Sequence, residues 1–365
     1  MATYLNSTIT PEGKSENHVS MLEAARRVSE EEHASDSPSD HPADSGQGAD
    51  PQPTLSREQA ADHIAALTET LGTVLLGKEQ QVKLALACLL ARGHLLIEDL
   101  PGMGKTLLSH ALARVLGLSY NRVQFTSDLL PSDLIGASIF DKSTNDFRFI
   151  KGPLFAQVVL ADEINRATPK SQSALLEAME ERQITSDGVT HVLPDPFFVI
   201  ATQNPSTQAG TFGLPESQLD RFLMRIELGY PEPAAERELL LKGDRRANLD
   251  TLPRVIDLAT LTALQAAVDA IKVSEPLVDY VQRLLAFSRQ GGEFAYGLSP
   301  RGALALLQGA KAWALLNQRS HIVPEDVQQV LPAVVEHRLR ASADFAGHSG
   351  GALAQKLLSG VDVVA

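Results

Sequence analysis

Cysteine is almost missing from this chain. Cys88 is the single example in 365 residues, which excludes an intramolecular disulfide and any thiolate-rich metal site. It falls in the apolar helical run VKLALACLL (82–90) and reads as a small buried hydrophobe rather than a redox switch. No apolar run reaches the ~18–20 residues needed to span a bilayer, and the N-terminus carries no apolar stretch of the signal-peptide kind. The expectation is a cytoplasmic protein with no direct membrane insertion. Basic charge is also scarce. A formal net charge of -13 disfavours a general nucleic-acid binder, which needs a cationic surface to displace counterions. The ten histidines show no H-x-x-x-H spacing. His94, His110 and His337 therefore read as structural or solvent-exposed, and no nucleophilic-triad signature accompanies them.

Hydrophobic residues make up 44% of the chain, ample for a buried core at this length. They are unevenly distributed. Residues 1–54 hold ten Asp/Glu against three Lys/Arg, with Pro and Ser clusters such as SDSPSDHPADSGQGADPQPT. So little apolar surface cannot offset the cost of ordering a backbone, and this stretch reads as a disordered acidic extension. About half of the net negative charge lies there, which leaves the remainder only mildly acidic.

From 55 to 229, strand-like and helix-like patterns alternate, as in an α/β fold with a parallel sheet covered by helices. The strand candidates are HLLIE (94–98), YNRVQF (120–125), QVVLA (157–161), FFVIAT (197–202) and FLMRIEL (222–228). Near-continuous apolar runs suit strands buried on both faces. Between the third and fourth, PKSQSALLEAMEERQI (169–184) has helical periodicity. After GYPEP (229–233), residues 230–345 carry only helical patterns and read as a smaller all-α domain. GHSGG then opens a C-terminal tail, 346–365.

Three segments carry chemistry. EDLPGMGKT (98–106) lies between a buried strand and the helix LLSHALARVL. A Gly-rich turn in that position aims backbone N–H groups at phosphate oxygens, at the positive end of a helix. Gly102 and Gly104 allow close approach, Lys105 would neutralise the β- and γ-phosphates, and Thr106 would ligate Mg²⁺. The strict pattern has Gly five positions before Gly104, where this chain has Asp99. VVLADE (158–163) ends a buried strand in two acids. Asp162 would hold Mg²⁺ through water, and Glu163 would orient the attacking water. FFVIATQNP ends another strand at Asn204, either a γ-phosphate contact or an ordinary turn Asn before Pro205. Arg221, Arg225 and Arg301 are candidates for stabilising transition-state charge, from the same subunit or a neighbour.

With those residues in view, the chain resembles the MoxR family of AAA+ ATPases over about residues 65–340. The resemblance rests on GHLLIEDLPGMGKT, RVQFTSDLLPSDLIG, GPLFAQVVLADEINRATPKSQSALLEAMEERQITSDG, FFVIATQNPSTQAGTFGLPESQLDRF and LSPRGAL. Family members look similar at Asp99 (EDxPGxGKT). The resemblance implies an αβα P-loop core (55–229), a helical lid, ATP or ADP with Mg²⁺ between them, and a homo-hexameric ring. It implies a nucleotide-binding set of Pro101, Gly102, Met103, Gly104, Lys105, Thr106, Leu107 and Asp162. Gly77, within Leu76–Lys78, would lie near the adenine. Glu163 would be catalytic, Asn204 the first sensor and Arg301 the second, touching the γ-phosphate as the lid closes. Arg221 matches the finger that reaches a neighbour's ATP, with Arg225 and Arg166 as alternatives.

Two inserts typical of the clade are recognisable. Residues 137–150 resemble the insert within the second core helix, and 181–196 reads as a β-hairpin turning at Asp187-Gly188. Such elements engage substrate in related machines. The hairpin has no Lys or Arg beyond Arg182, which suits a protein client better than DNA. The implied role is a chaperone-like remodeller or maturation factor acting with a von Willebrand factor A domain partner. The alternatives are a nucleotide-gated scaffold with negligible turnover and a DNA-dependent translocase.

Overall fold

The computed structural model describes residues 55–204, 211–242, 249, 251–290, 292, 294–342 and 352–363; the acidic extension expected over 1–54 lies outside them. The core opens with α1 (Arg57–Val74), held at its start by a reciprocal cap. The Ser56 hydroxyl accepts from the Gln59 amide, and the Gln59 side chain accepts from the Ser56 amide. Next, α2 (Glu79–Leu90) buries every residue from Leu84 to Leu90, Cys88 included. That burial pushes the Cys88 thiol well above its ordinary range, as expected of a packed hydrophobe.

The α/β part follows as β1 (His94–Glu98), α3 (Lys105–Val115), β2 (Tyr120–Gln124), α4 (Pro131–Ile135), β3 (Gly136–Asp141), β4 (Asp146–Lys151), β5 (Val158–Asp162), α5 (Pro169–Glu181), β6 (Gln183–Ser186), β7 (Val189–Val192), β8 (Phe198–Gln203), α6 (Glu216–Leu219) and β9 (Phe222–Ile226). Five strands form one sheet in the order β2-β5-β8-β1-β9, with every pairing parallel. Side chains alternate across it. Leu95, Ile97, Val158, Leu160 and Ile200 pack with α1–α3, while Leu96, Val159, Ala161 and Val199 pack with Leu175, Leu176 and Met179 of α5. On β9, Phe222 faces the second core but Met224 and Ile226 face the first. A register shift opposite His94/Leu95 breaks the period there.

The two inserts are both hairpins. Residues 137–150, read as an insert within the second core helix, lie in antiparallel β3–β4. In β6–β7, Asp187 and Gly188 both have positive φ (52° and 78°), the turn geometry that Asp-Gly favours. The hairpins touch: the Phe149 and His191 rings stack 4.0 Å apart, and Ser138 Oγ donates to Asp187 at 2.7 Å.

The lid comprises α7 (Pro233–Lys242), α8 (Leu258–Asp269), α9 (Glu275–Gln290), β10 (Phe294–Tyr296), α10 (Pro300–Leu316), α11 (Pro324–Val335), β11 (Arg340–Ala341) and α12 (Ala352–Gly360). Two features depart from the sequence reading. β10 and β11 form a short antiparallel pair in a region expected to be wholly helical. The stretch expected as a tail contains α12, whose Leu353, Ala354 and Leu357 are buried against the lid. Its apolar pattern spans little more than two turns behind a Gly-rich segment, so only packing reveals it. α10 crosses close over β9: a Cβ on Gly309 would sit 2.9 Å from Met224 Cε.

His94 ties three core elements together and sets a pH dependence. Its Nδ1 accepts from the Val199 amide at 3.0 Å, and its Nε2 lies 3.2 Å from the Met179 carbonyl. This requires a neutral ring with the proton on Nε2. Burial pushes its pKa down to about 4. The unfolded ring binds a proton near 6.5, so the unfolded chain carries the extra proton between those limits, and stability falls as pH drops through that window. The share due to His94 is a loss of about 2 kcal/mol between pH 7 and pH 5. Urea unfolding at the two pH values should show it, and His94→Gln should flatten the dependence. Buried His337 shifts in the same direction and leaves a residual slope.

Candidate active site

The loop after β1 ends at Gly104, which caps α3 from the left-handed region (φ 94°); Gly102 has φ 88°. An L side chain resists both conformations, so glycine is needed here for backbone shape. The resulting cleft is lined by Pro101, Gly102, Gly104, Lys105, Thr106, Leu107, Asp162, Glu163 and Asn204. Three separate strand ends, those of β1, β5 and β8, therefore converge on one cleft. Met103 differs: it packs against the hydrophobic core. Gly77 adopts φ 66° and approaches α7, its Cβ position falling 3.0 Å from Ala235 Cβ.

A chain of polar contacts crosses the cleft. Lys105 Nζ donates to Asn204 Oδ1 at 3.0 Å, and Asn204 Nδ2 donates to Glu163 Oε1 at 3.0 Å. Asn204 thus links the phosphate-loop cation to the candidate catalytic acid, which an ordinary turn Asn would not do. Burial pushes the Lys105 ammonium down from its usual range, while the carboxylates of Asp99, Asp162 and Glu163 pull it back up. Glu163 holds a left-handed backbone (φ 56°), a strained conformation for a residue with a Cβ. The Thr202 hydroxyl supports it by accepting the Glu163 amide at 2.9 Å and donating to Asp162 Oδ1 at 2.6 Å.

Further cations and donors hold the two acids. Arg122 on β2 pairs with Asp162 Oδ2 at 2.6 Å, while Gln124 donates to Glu163 Oε2 at 2.9 Å. Arg166 lies 3.2 Å from the same Glu163 oxygen. Thr106 and Asp162 offer a hydroxyl and a carboxylate to one cleft, the hard oxygen donors that suit Mg²⁺. Among the described residues no group of three or more His, Cys, Asp or Glu could hold a metal by itself.

The arginines separate by position. Arg225 is consumed by Glu98 (2.9 Å) and Glu227 (2.6 Å). Arg221 precedes β9, whose Phe222 pairs with His94 at the start of β1, whereas the phosphate loop leaves the end of β1. Four residues of strand separate the two edges by roughly 13 Å. At that far edge Arg221 pairs with Glu180 Oε2 at 2.7 Å, and Arg301 pairs with Oε1 of the same residue at 2.5 Å. The Arg301 hydrogen bond, with Arg221 beside it, holds the Glu180 carboxyl below its usual range. Both arginines line a cavity with Arg92, Arg182 and Arg338 that shares no lining residue with the phosphate-loop cleft. Arg301, expected to touch the γ-phosphate as the lid closes, sits here beside Arg221 on Glu180.

Arg338 fixes that edge from the lid. Its guanidinium, only 4% exposed, bonds Asp220 Oδ1 at 2.6 Å and the Phe222 carbonyl at 2.7 Å. Thr202, Arg122, Gln124, Glu180 and Arg338 escaped the sequence reading. Arg122, Gln124, Glu180 and Thr202 fall within the stretches quoted for the resemblance, but each acts through a partner distant in the chain that nothing local marks.

A parallel sheet with a phosphate loop after one strand and paired acids after another, under a helical lid, defines an AAA+ ATPase. The family model described as "ATPase family associated with various cellular activities (AAA)" matches residues 94–224, and an "AAA lid domain" model matches 286–357. Bacillus subtilis YeaC is 43% identical over 302 residues, covering 82% of this chain and 94% of that one. Chaperone MoxR1 of Mycobacterium tuberculosis is 40% identical over 280 residues, 74% of each chain. A crystal structure of a proposed ATPase from Cytophaga hutchinsonii superposes with a TM-score of 0.76 at 34% identity, covering 84% of this chain and 96% of that one. The chain belongs to the MoxR family of AAA+ ATPases.

Thr202 is fully buried and holds both acids. Thr202→Val keeps the shape and removes the hydroxyl, and should destabilise the protein by about 1–3 kcal/mol, read by urea unfolding.

Proposed function

We propose that this protein is an Mg²⁺-dependent ATPase of the MoxR type, working as a homo-hexameric ring that remodels or matures protein complexes with a von Willebrand factor A domain partner. The observation that carries the reading is the split of the catalytic parts between opposite edges of one sheet. Lys105, Asn204 and Glu163 form a connected cleft, while Arg221 and Arg301 share Glu180 at the other edge. A subunit's own cleft holds neither Arg221 nor Arg301, two of the candidates for stabilising transition-state charge. A ring solves this, because the far edge of one subunit can face the cleft of the next.

In that arrangement the loop amides and Lys105 bind the phosphates, and Glu163 orients the attacking water with Asn204 holding its carboxylate. Mg²⁺, held by Thr106 and Asp162, would neutralise phosphate charge. Arg221 and Arg301 of a neighbour would leave Glu180 for the γ-phosphate, where positive charge is worth most in the transition state. Arg301, expected to touch the γ-phosphate as the lid closes, would then do so across the interface.

A protein client suits the exposed hairpins. Ile139, Phe147 and Ile150 on β3–β4 and Val189 and Val192 on β6–β7 are more than half exposed, and apolar surface of this kind is a contact for protein. A DNA backbone would reward cations instead. The relative named as a chaperone accords with this choice.

ATP turnover of Lys105→Ala and of Glu163→Gln should each fall by about 100-fold or more relative to wild type, with the fold intact by circular dichroism. Undiminished turnover in both would remove these residues from the mechanism. Mixing Arg221→Ala with Lys105→Ala should restore part of the activity, since a good cleft then meets a good finger. No recovery at any ratio would count against a finger acting between subunits.

A further inference from the structure

Asp99 stands where the strict phosphate-loop pattern has glycine, and the resemblance gives it no role. Its side chain is buried, with 8% exposure, so its charge must be met by something. Backbone amides meet it. Oδ1 accepts from the Leu100 amide at 2.7 Å, and Oδ2 accepts from the Leu228 and Gly229 amides, both at 2.7 Å. Lys78, equally buried at 9%, approaches the same turn from its other side. Its ammonium donates to the Leu228 carbonyl at 2.6 Å and the Tyr230 carbonyl at 2.7 Å. Two buried charges of opposite sign thus grip one three-residue turn, the N–H groups toward the anion and the carbonyls toward the cation. Each polarises the peptide groups in the sense that strengthens the other.

The turn joins the two halves of the nucleotide site to the lid. On one side, the Asp99 carbonyl accepts from Lys105 Nζ at 2.6 Å, so a phosphate oxygen in the cleft competes with the residue that holds the turn. On the other, Lys78 follows Gly77, which packs against Ala235 near the start of α7. Gly229 adopts φ 64°, the geometry that lets the chain leave β9 and enter α7 four residues later.

We propose that Asp99 and Lys78 form a bracket that makes the Leu228–Tyr230 turn part of the nucleotide site, coupling nucleotide binding to the placement of α7. Asp99 is a positioning residue for the phosphate loop, and Lys78 is one for the Leu76–Lys78 segment. The proposal rests on the nucleotide reading of the cleft.

The test uses the full chain with Mg²⁺ and a fluorescent ADP analogue, alongside hydrogen exchange at residues 228–236 with and without ADP. In wild type, ADP should slow exchange at Leu228, Gly229 and the first turn of α7. Asp99→Asn and Lys78→Met should each weaken the analogue about tenfold, the size of one lost hydrogen bond to a charged group. They should also abolish the ADP-dependent change in α7. Asp99→Gly, which restores the strict pattern, should behave like Asp99→Asn rather than improve binding. A folded variant with lowered thermal stability but wild-type affinity would mean a mere fold staple and overturn the proposal. So would exchange in wild-type α7 that ignores ADP, a measurement that stands even where a variant fails to fold. If wild type bound no nucleotide, the nucleotide reading itself would fall, and the bracket's role with it.

Discussion

The five strands of the central sheet are parallel, so all their C-terminal ends lie along one edge. Whatever follows those ends must share a neighbourhood, however far apart the residues are in sequence. The phosphate loop follows β1, Asp162 and Glu163 end β5, and Asn204 follows β8; adjacency of these three strands brings Lys105, Glu163 and Asn204 into hydrogen-bond contact. The same constraint sends the start of β9 to the opposite edge, and Arg221 with it. Direction of the strands therefore separates the parts that would hold phosphate from the part that would stabilise its transfer.

Charge inside the cleft is balanced in detail. Two adjacent carboxylates at a buried strand end would repel each other and the low-dielectric surroundings. Arg122 and the Thr202 hydroxyl take Asp162, while Gln124, Asn204 and Arg166 take Glu163. The protein's own contacts thereby fix the directions of the oxygens, the kind of preorganisation that electrostatic catalysis would draw on. The strained backbone at Glu163 belongs to the same arrangement, because the Thr202 hydroxyl that bonds Asp162 also captures the strained amide.

The lid is joined to this core by buried charge as well as apolar packing. α10 lies against β9 closely enough to require Gly309, which places Arg301 beside Arg221. Arg338 follows α11 and grips Asp220 and the first carbonyls of β9. Burying its charge disfavours the guanidinium, and Asp220 favours it; losing either partner of such a pair costs about 3–5 kcal/mol. At the other end of β9, Asp99 and Lys78 hold the exit turn. β9 is thus clamped at both ends, one clamp facing each edge of the sheet.

The strands of the sheet and the residues that line the cleft were legible in the sequence. Buried strands are written as apolar runs, left-handed loop positions as glycines, and the paired acids as a local motif. Its strand limits stand within a residue or two. Where meaning depends on distant partners, it was silent. Asp99 reads locally as a defect, and only the fold brings Leu228 and Gly229 to its carboxylate. Glu180 reads as one more helix acid, and only the fold sets Arg221 and Arg301 on its two oxygens. α12 shows too few turns to declare itself before it finds a surface to pack on. Local patterns record what a residue can do, whereas tertiary structure alone decides which charge it does it to. A buried charge is defined by its partners, and here those partners lie up to 152 positions away.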